Sequence, residues 1–348
     1  MPARSIATIT DIARKAGVSK TAVSYAFNNP TRLSNVTVER ILAAADELAY
    51  TPNPVARSMS SGRTGTIGIL VPQPMPDVLK NPFFIEFLEG VAEAAAEADL
   101  PIMLVPPMRG SVQHAVNGAA VDGFLTLGLE TFRPTMHMLE RRGRPYVMVD
   151  SEPTEGVACV NVDDEGGAYA ALRHVIDLEH RQIGLLGIRS PQRGQWAKYV
   201  GTLKRRVAGY QRALTESGLS LSDRSVRLTE CDVSLDGGRA GFHRLWTRGK
   251  QPTAIVAMSD LVAIGALEAA REVSVSIPDQ LSIIGFDDIP QASHVLPSLT
   301  TIRQPAREKG RLAADLLIAL VNGDAVPRHI VLQTRLVERH STTQAPVT

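Results

Sequence analysis

Residues 8–28, TITDIARKAGVSKTAVSYAFN, constrain the fold of this 348-residue chain more than any other stretch. Two short helical patterns meet at Gly17. Thr8 stands three residues before Asp11, the spacing of a capping box, and the helix it opens carries Ile9, Ile12, Ala13 and Ala16 on one face. Gly17 suits a left-handed residue at the turn, and Val18 tucks inward. Ser19 caps a second helix, Lys20 to Phe27, whose Ala22, Val23 and Ala26 share a face. Lys20, Thr21, Ser24 and Tyr25 are left on the other side. The pattern is a helix-turn-helix, and its outward row carries donors suited to base edges in a major groove. The same residues would also fit an αα-hairpin with no nucleic-acid role.

Ser34 caps a third predicted helix, with Val38, Ile41, Leu42, Ala45 and Leu48 inward, so a three-helix unit closes near Tyr50. In the following TPNPVARSMSSGRTG, Asn53 is a good N-cap and Pro54 is pre-set for the first helical position. The helix this predicts, Pro54 to about Ser60, is under two turns, and so short a helix is marginal alone in water. Beside a DNA reader it is expected to form only on binding. Ser60, Ser61, Gly62 and Gly65 fit a plain linker equally well.

Charge follows the same division. Residues 1–63 carry a net +4 and the remainder −3, a basic head on a mildly acidic body, which fits a phosphate-contacting module on a carrier. From Thr66 onward β-branched runs alternate with helical patterns. Strands are read at 66–72, 101–106, 123–128, 145–150, 158–162, 254–258 and 281–287, with IGLLG and VRLTE between. Helices are read from Phe84 to Ala98, Thr135 to Arg142, Gly166 to Leu178, Arg205 to Ser217, Gly237 to Thr247, Asp260 to Val273 and Ala306 to Val321. Strands separated by helices imply parallel sheets covered on both faces. Ligands of such sheets sit beyond the carboxyl ends of the strands, here Val71-Pro72, Asp150, Asp163, Ser259-Asp260 and Asp287-Asp288. One large doubly wound sheet would satisfy the pattern as well as two lobes.

The N-terminal run, together with AVDGFLTLG, RRVAGYQRAL, AIVAMSDLVAIGAL, LSIIGFDD and LTTIRQP, resembles LacI-family (lactose/galactose repressor) transcription regulators across almost the whole chain. The resemblance implies a small all-α helix-turn-helix DNA-binding domain over 1–52, a hinge helix and linker over 53–63, and a two-lobed α/β core over 64–348 with parallel sheets, similar to a periplasmic sugar-binding protein. It places the N-lobe at about 64–162 and 292–322 and the C-lobe at about 163–291 and 323–348, with crossings near 162, 290 and 322. The DNA contacts it implies are Thr8, Ser19, Lys20, Thr21, Ser24, Tyr25 and Asn28, with Asn53, Ala56, Arg57 and Met59 in the hinge. Met59 matches the family's leucine lever, an apolar wedge in the minor groove. Tyr25 stands where relatives usually carry arginine, and tyrosine lacks the bidentate fork for guanine.

For a small effector the implied residues are Phe84, Arg206, Ser259, Asp287 and Gln304. Arg206 opens the R-x-x-G-[FY] motif, and Asp287 is the first aspartate of GFDD. Phe84 also fits a plain core position, Asp260 a helix cap and Asp288 a local backbone bond. Val233 stands where relatives often place a stacking aromatic. The long loop 190–204 offers Trp196 or Tyr199 instead. A sugar is the favoured ligand class and a nucleobase the second. The partners expected are double-stranded operator DNA and a second copy of the chain, which would read a pseudo-palindromic site.

Enzymatic readings find no support in the motifs. No G-x-G-x-x-G or G-x-x-x-x-G-K-[ST] follows the first strand, no G-x-S-x-G appears, and the eight histidines lack metal-ligand spacing. Two cysteines are too few for a disulfide framework. No cofactor, metal or catalysis is expected. The first 20 residues lack an apolar signal core and no apolar run reaches membrane-spanning length, so a cytoplasmic location is expected. The competing reading, a solute-binding transport component, would share the two-lobed body but not the helix-turn-helix.

Overall fold

The computed structural model describes residues 7–51, 58, 62–128, 133–190 and 195–347, and the chain divides into two compact units, Met1–Thr64 and Gly65–Thr348. Asn53, Ala56, Arg57 and Met59, the predicted hinge contacts, lie outside the described residues.

In the first unit, α1 (Ile9–Ala16), α2 (Lys20–Asn28) and α3 (Asn35–Glu47) pack around Ile12, Val23 and Ile41, all fully buried. The Asp11 carboxylate accepts from the Thr8 backbone nitrogen at 3.0 Å and from its hydroxyl at 2.7 Å. The hydroxyl bond, then the backbone bond, hold its pKa below the usual range. Gly17 ends α1 at φ +63, where a β-carbon would be strained. Ser19 and Ser34 cap α2 and α3 by accepting from Ala22 N and Thr37 N. Lys15 of α1 and Glu47 of α3 pair at 2.5 Å. One expectation fails: Leu42 is 43% exposed, and Ala44 is buried instead. Ile41, Ala44 and Ala45 keep the i, i+3, i+4 spacing of a buried stripe, and Leu42 falls off it.

The second unit holds two six-stranded sheets. The N-lobe sheet runs β11 (His329–Leu332), β5 (Ala158–Val162), β4 (Tyr146–Val149), β3 (Gly123–Leu127), β1 (Ile67–Leu70), β2 (Ile102–Val105), all parallel. The C-lobe sheet runs β12 (Arg335–Val337), β10 (Thr300–Arg303), β9 (Ser282–Asp287), β8 (Ala254–Ala257), β6 (Ile183–Ile188), β7 (Val226–Cys231), parallel except for β12 against β10. In the N-lobe, α5 (Pro82–Glu97) and α13 (Ala306–Asn322) cover one face, and α6 (Val112–Gly118) and α7 (Arg133–Arg141) the other. In the C-lobe, α8 (Asp164–Asp177) and α9 (Gly201–Glu216) cover one face, and α10 (Leu235–Thr247) and α11 (Asp260–Glu272) the other. Two short helices, α4 (Met75–Val78) and α12 (Pro290–His294), complete the set. Helices α5 and α13 meet closely at Gly90 and Gly310, where an added β-carbon would sit 1.8 Å and 2.0 Å from the facing backbone oxygens.

The chain passes between lobes three times. The first crossing comes after Val162. The other two lie away from the expected positions: β10 belongs to the C-lobe sheet, so the second crossing lies between Arg303 and Ala306 rather than near 290. Strand β11 pairs with β5, so the third lies between Leu332 and Arg335 rather than near 322. Each shift follows from a short strand whose partner is set by sheet pairing rather than by local pattern. Among the described residues no helix is long and apolar enough to cross a membrane.

Candidate nucleic-acid interface and ligand cleft

Helix α2 buries Val23 and Ala26 and leaves Lys20, Thr21 and Asn28 exposed, with Ser24 and Tyr25 half-buried beside them. Thr8 and Ser19 are exposed at the starts of α1 and α2. The seven expected contacts in this unit are thus available to solvent to different degrees. The Asn28 amide donates to Ser24 Oγ at 3.3 Å. Tyr25 is not alone: Arg32 donates to its hydroxyl at 3.2 Å, and the guanidinium lies 5.2 Å from the ring centroid. Arg32, absent from the expected contacts, stands in a 3-10 turn (Pro30–Arg32) after α2. Its exposed guanidinium places a planar fork of donors beside Tyr25.

In the second unit the carboxyl ends of β8 and β9 bring Ser259 and Asp287 together. Ser259 Oγ donates to Asp287 Oδ2 at 3.1 Å, and Gln304 Nε2 donates to Asp287 Oδ1 at 2.5 Å. Arg206, on α9, is buried with its guanidinium 3.7 Å from the Phe286 centroid; it donates to Asp164 Oδ1 at 3.0 Å and to the Met258 carbonyl at 2.5 Å. Arg205 donates to the other Asp164 oxygen at 3.0 Å, so one carboxylate holds two adjacent arginines. Burial raises the Asp287 pKa, and the Arg206 charge opposes that shift. Asp260 is fully buried and also raised, by burial and then by the Asp287 charge. It accepts from the Ile289 backbone at 2.9 Å and from the Thr301 hydroxyl, so it ties α11 to the segment after β9 rather than reaching a ligand.

Four of the five expected effector residues therefore share one polar cluster. Phe84 does not join it: its ring is buried in the N-lobe core, 6.4 Å from Phe87. It fills the stripe of α5 against the sheet, the core alternative the sequence allowed. Trp196 and Tyr199 stack on each other at 5.5 Å, with Tyr199 buried and its hydroxyl bonded to Glu230. The Trp196 ring covers Gly187, where a β-carbon would lie 2.9 Å away, so this pair packs on the sheet. Asp288 accepts from Arg303 and from Arg339, the latter at 2.6 Å, rather than from local backbone.

Two residues missing from the expected set complete the cluster. Lys309 is fully buried and donates to both Asp150 oxygens, at 2.8 and 2.6 Å, and to Gln304 Oε1 at 2.9 Å. The signal was readable: Lys309 stands three residues after Ala306 and four before Ala313, on the buried stripe of α13.

Comparison with known proteins follows the same two-unit division. Residues 8–53 match the family described as bacterial regulatory proteins, lacI family, and residues 172–342 match the periplasmic binding protein-like domain. The chain is 30% identical over 344 residues to the HTH-type transcriptional repressor PurR of Photobacterium profundum, covering 97% of this chain and 98% of that one. A solved complex of the transcriptional regulator CelR with cellobiose aligns at a TM-score of 0.71 and 28% identity, covering 96% of this chain and 99% of that one. A Lac repressor dimer bound to operator and the anti-inducer ONPF aligns at a TM-score of 0.81 and 25% identity, covering 97% and 100%.

Proposed function

Because the chain belongs to the LacI family of bacterial regulatory proteins, we propose that it is a repressor which binds a pseudo-palindromic operator as a homodimer and is tuned by a small neutral sugar. The observation that carries the reading is the Ser259–Asp287–Gln304 cluster beside Arg206, in a chain whose recognition helix leaves its polar row open to solvent. A carboxylate with lone pairs to spare accepts from sugar hydroxyls, and an arginine fork donates at fixed angles. The cellobiose complex of CelR and the operator complex of the Lac repressor support the two halves of the proposal.

One recognition helix covers only a few base pairs, so a two-fold dimer supplies affinity and sets half-site spacing. In this reading Lys20, Thr21 and Tyr25 contact bases in the major groove. Asn53, Ala56, Arg57 and Met59 form the hinge, with Met59 wedged into the minor groove at the operator centre. The effector acts by its different affinity for two lobe orientations, which amounts to about 1–3 kcal/mol of coupling, or roughly 5- to 150-fold in operator affinity. The test is operator titration by fluorescence anisotropy with a panel of neutral sugars that includes cellobiose. Asp287→Ala still binds operator and loses the response; a variant that responds like the parent removes the cluster from the mechanism. The solute-binding alternative is disfavoured by the helix-turn-helix, which a transport component does not use.

A further inference from the structure

The ammonium of Lys309 is saturated. Its three donors meet Asp150 Oδ1, Asp150 Oδ2 and Gln304 Oε1, and the ring of Phe83 covers it at 4.6 Å. With Oε1 held, the Gln304 amide must turn its Nε2 to Asp287. Asp150 follows β4 in the N-lobe, and Asp287 ends β9 in the C-lobe. A continuous line of hydrogen bonds therefore runs from lobe to lobe with a tethered cation at its middle. The same N-lobe turn meets the C-lobe again at the start of α9: the Asp150 carbonyl accepts from Thr202 Oγ1 at 3.2 Å, and Glu152 Oε1 accepts from Gly201 N at 2.9 Å. That helix carries Arg206, so the Asp150 turn is tied to the helix that places Arg206 in the cluster.

We infer that Lys309 is a resident ligand of the cleft, a positioning residue whose ammonium joins the lobes as a bound effector would, so that the chain is closed without effector. The inference rests on the reading of this cleft as the effector site, and it narrows the ligand. An incoming molecule competes with a tethered cation for Asp150 and Gln304, whose effective concentration is high because it is part of the same chain. It must bring at least two adjacent hydrogen-bond donors, as a vicinal diol does. A carboxylate or phosphate placed there would face Asp150 and Asp287 with no donor to give them.

Interlobe distance tests this on the full chain with neither DNA nor sugar present. Spin labels go on the exposed pair Arg141→Cys and Lys250→Cys, one in each lobe. Cys159 and Cys231 are buried, with thiols pushed up to about 12 by that burial, so they are spared by the label. Pulsed dipolar spectroscopy should give one narrow distance in the labelled parent and a longer or broadened distribution in Lys309→Met. The parental distribution in a folded Lys309→Met protein would overturn the inference. Methionine keeps the unbranched apolar stem of lysine, one atom shorter, and leaves Asp150 without its cation. If that variant does not fold, Lys309→Met/Asp150→Asn removes both charges and is judged by the same criterion. An opened cleft in a protein that selects no operator would retire the regulator reading alone, whereas operator binding with an unchanged distance would retire only the role of Lys309.

Discussion

Tyr25 and Arg32 act as one unit on the outward side of α2. The phenol sits half-buried on the recognition helix, and the guanidinium lies over it and bonds its oxygen. Arg32→Ala is therefore expected to act on DNA binding and not on stability, since both groups are near solvent. If Arg32 reads a base, anisotropy titration shows a loss of about 1–3 kcal/mol confined to one operator position. If it meets a phosphate, affinity falls evenly across sequences and the salt slope drops by about 1. An unchanged affinity and slope would leave Tyr25 acting without it. At this scale the sequence was legible wherever chemistry is local. The caps Ser19 and Ser34 and the left-handed Gly17 follow from neighbours a few residues away. Lys309 stood out on an apolar stripe, but its partner Asp150 lies 159 residues earlier, and no local rule pairs them.

Helix α8 ends against the C-terminal tail through two histidines. His180 Nε2 bonds the Thr343 carbonyl at 2.9 Å, its Nδ1 meets Thr253 Oγ1 at 2.9 Å, and His174 Nε2 meets Thr342 Oγ1 at 2.9 Å. Burial lowers both pKa values from the ordinary histidine range, so the neutral rings belong to the folded state. The unfolded chain then binds more protons as pH falls from about 6.5, and stability is lost as pH drops through the lowered folded values. Thermal melts at pH 7 and pH 5.5 should show a smaller acid loss of Tm in His180→Gln than in the parent. An equal loss in both would place the acid sensitivity elsewhere. Long elements such as α5, α9 and α11 were legible from their spacing. The pieces that were not, the helix α6 and the strands β10, β11 and β12, are seven residues or fewer, and the pairing of those strands is decided by the sheet they join. This is why the second and third crossings moved.

At the scale of the whole molecule, a basic head and a mildly acidic body are joined in one chain. The parallel sheets, their helical covers and the helix-turn-helix were all legible in the sequence, because each depends on period and punctuation. Lobe membership was not, because it depends on which strand edge is free. In the proposed reading, two copies of this chain read a two-fold symmetric operator through α2 and the hinge. Its most direct test is selection from randomised duplex DNA with the purified protein, followed by sequencing of what is retained, for the parent and for Met59→Ala. The expected result is an inverted repeat enriched by the parent, with markedly weaker enrichment by Met59→Ala. Recovery of no motif, or of a single asymmetric half-site indifferent to Met59, would contradict it.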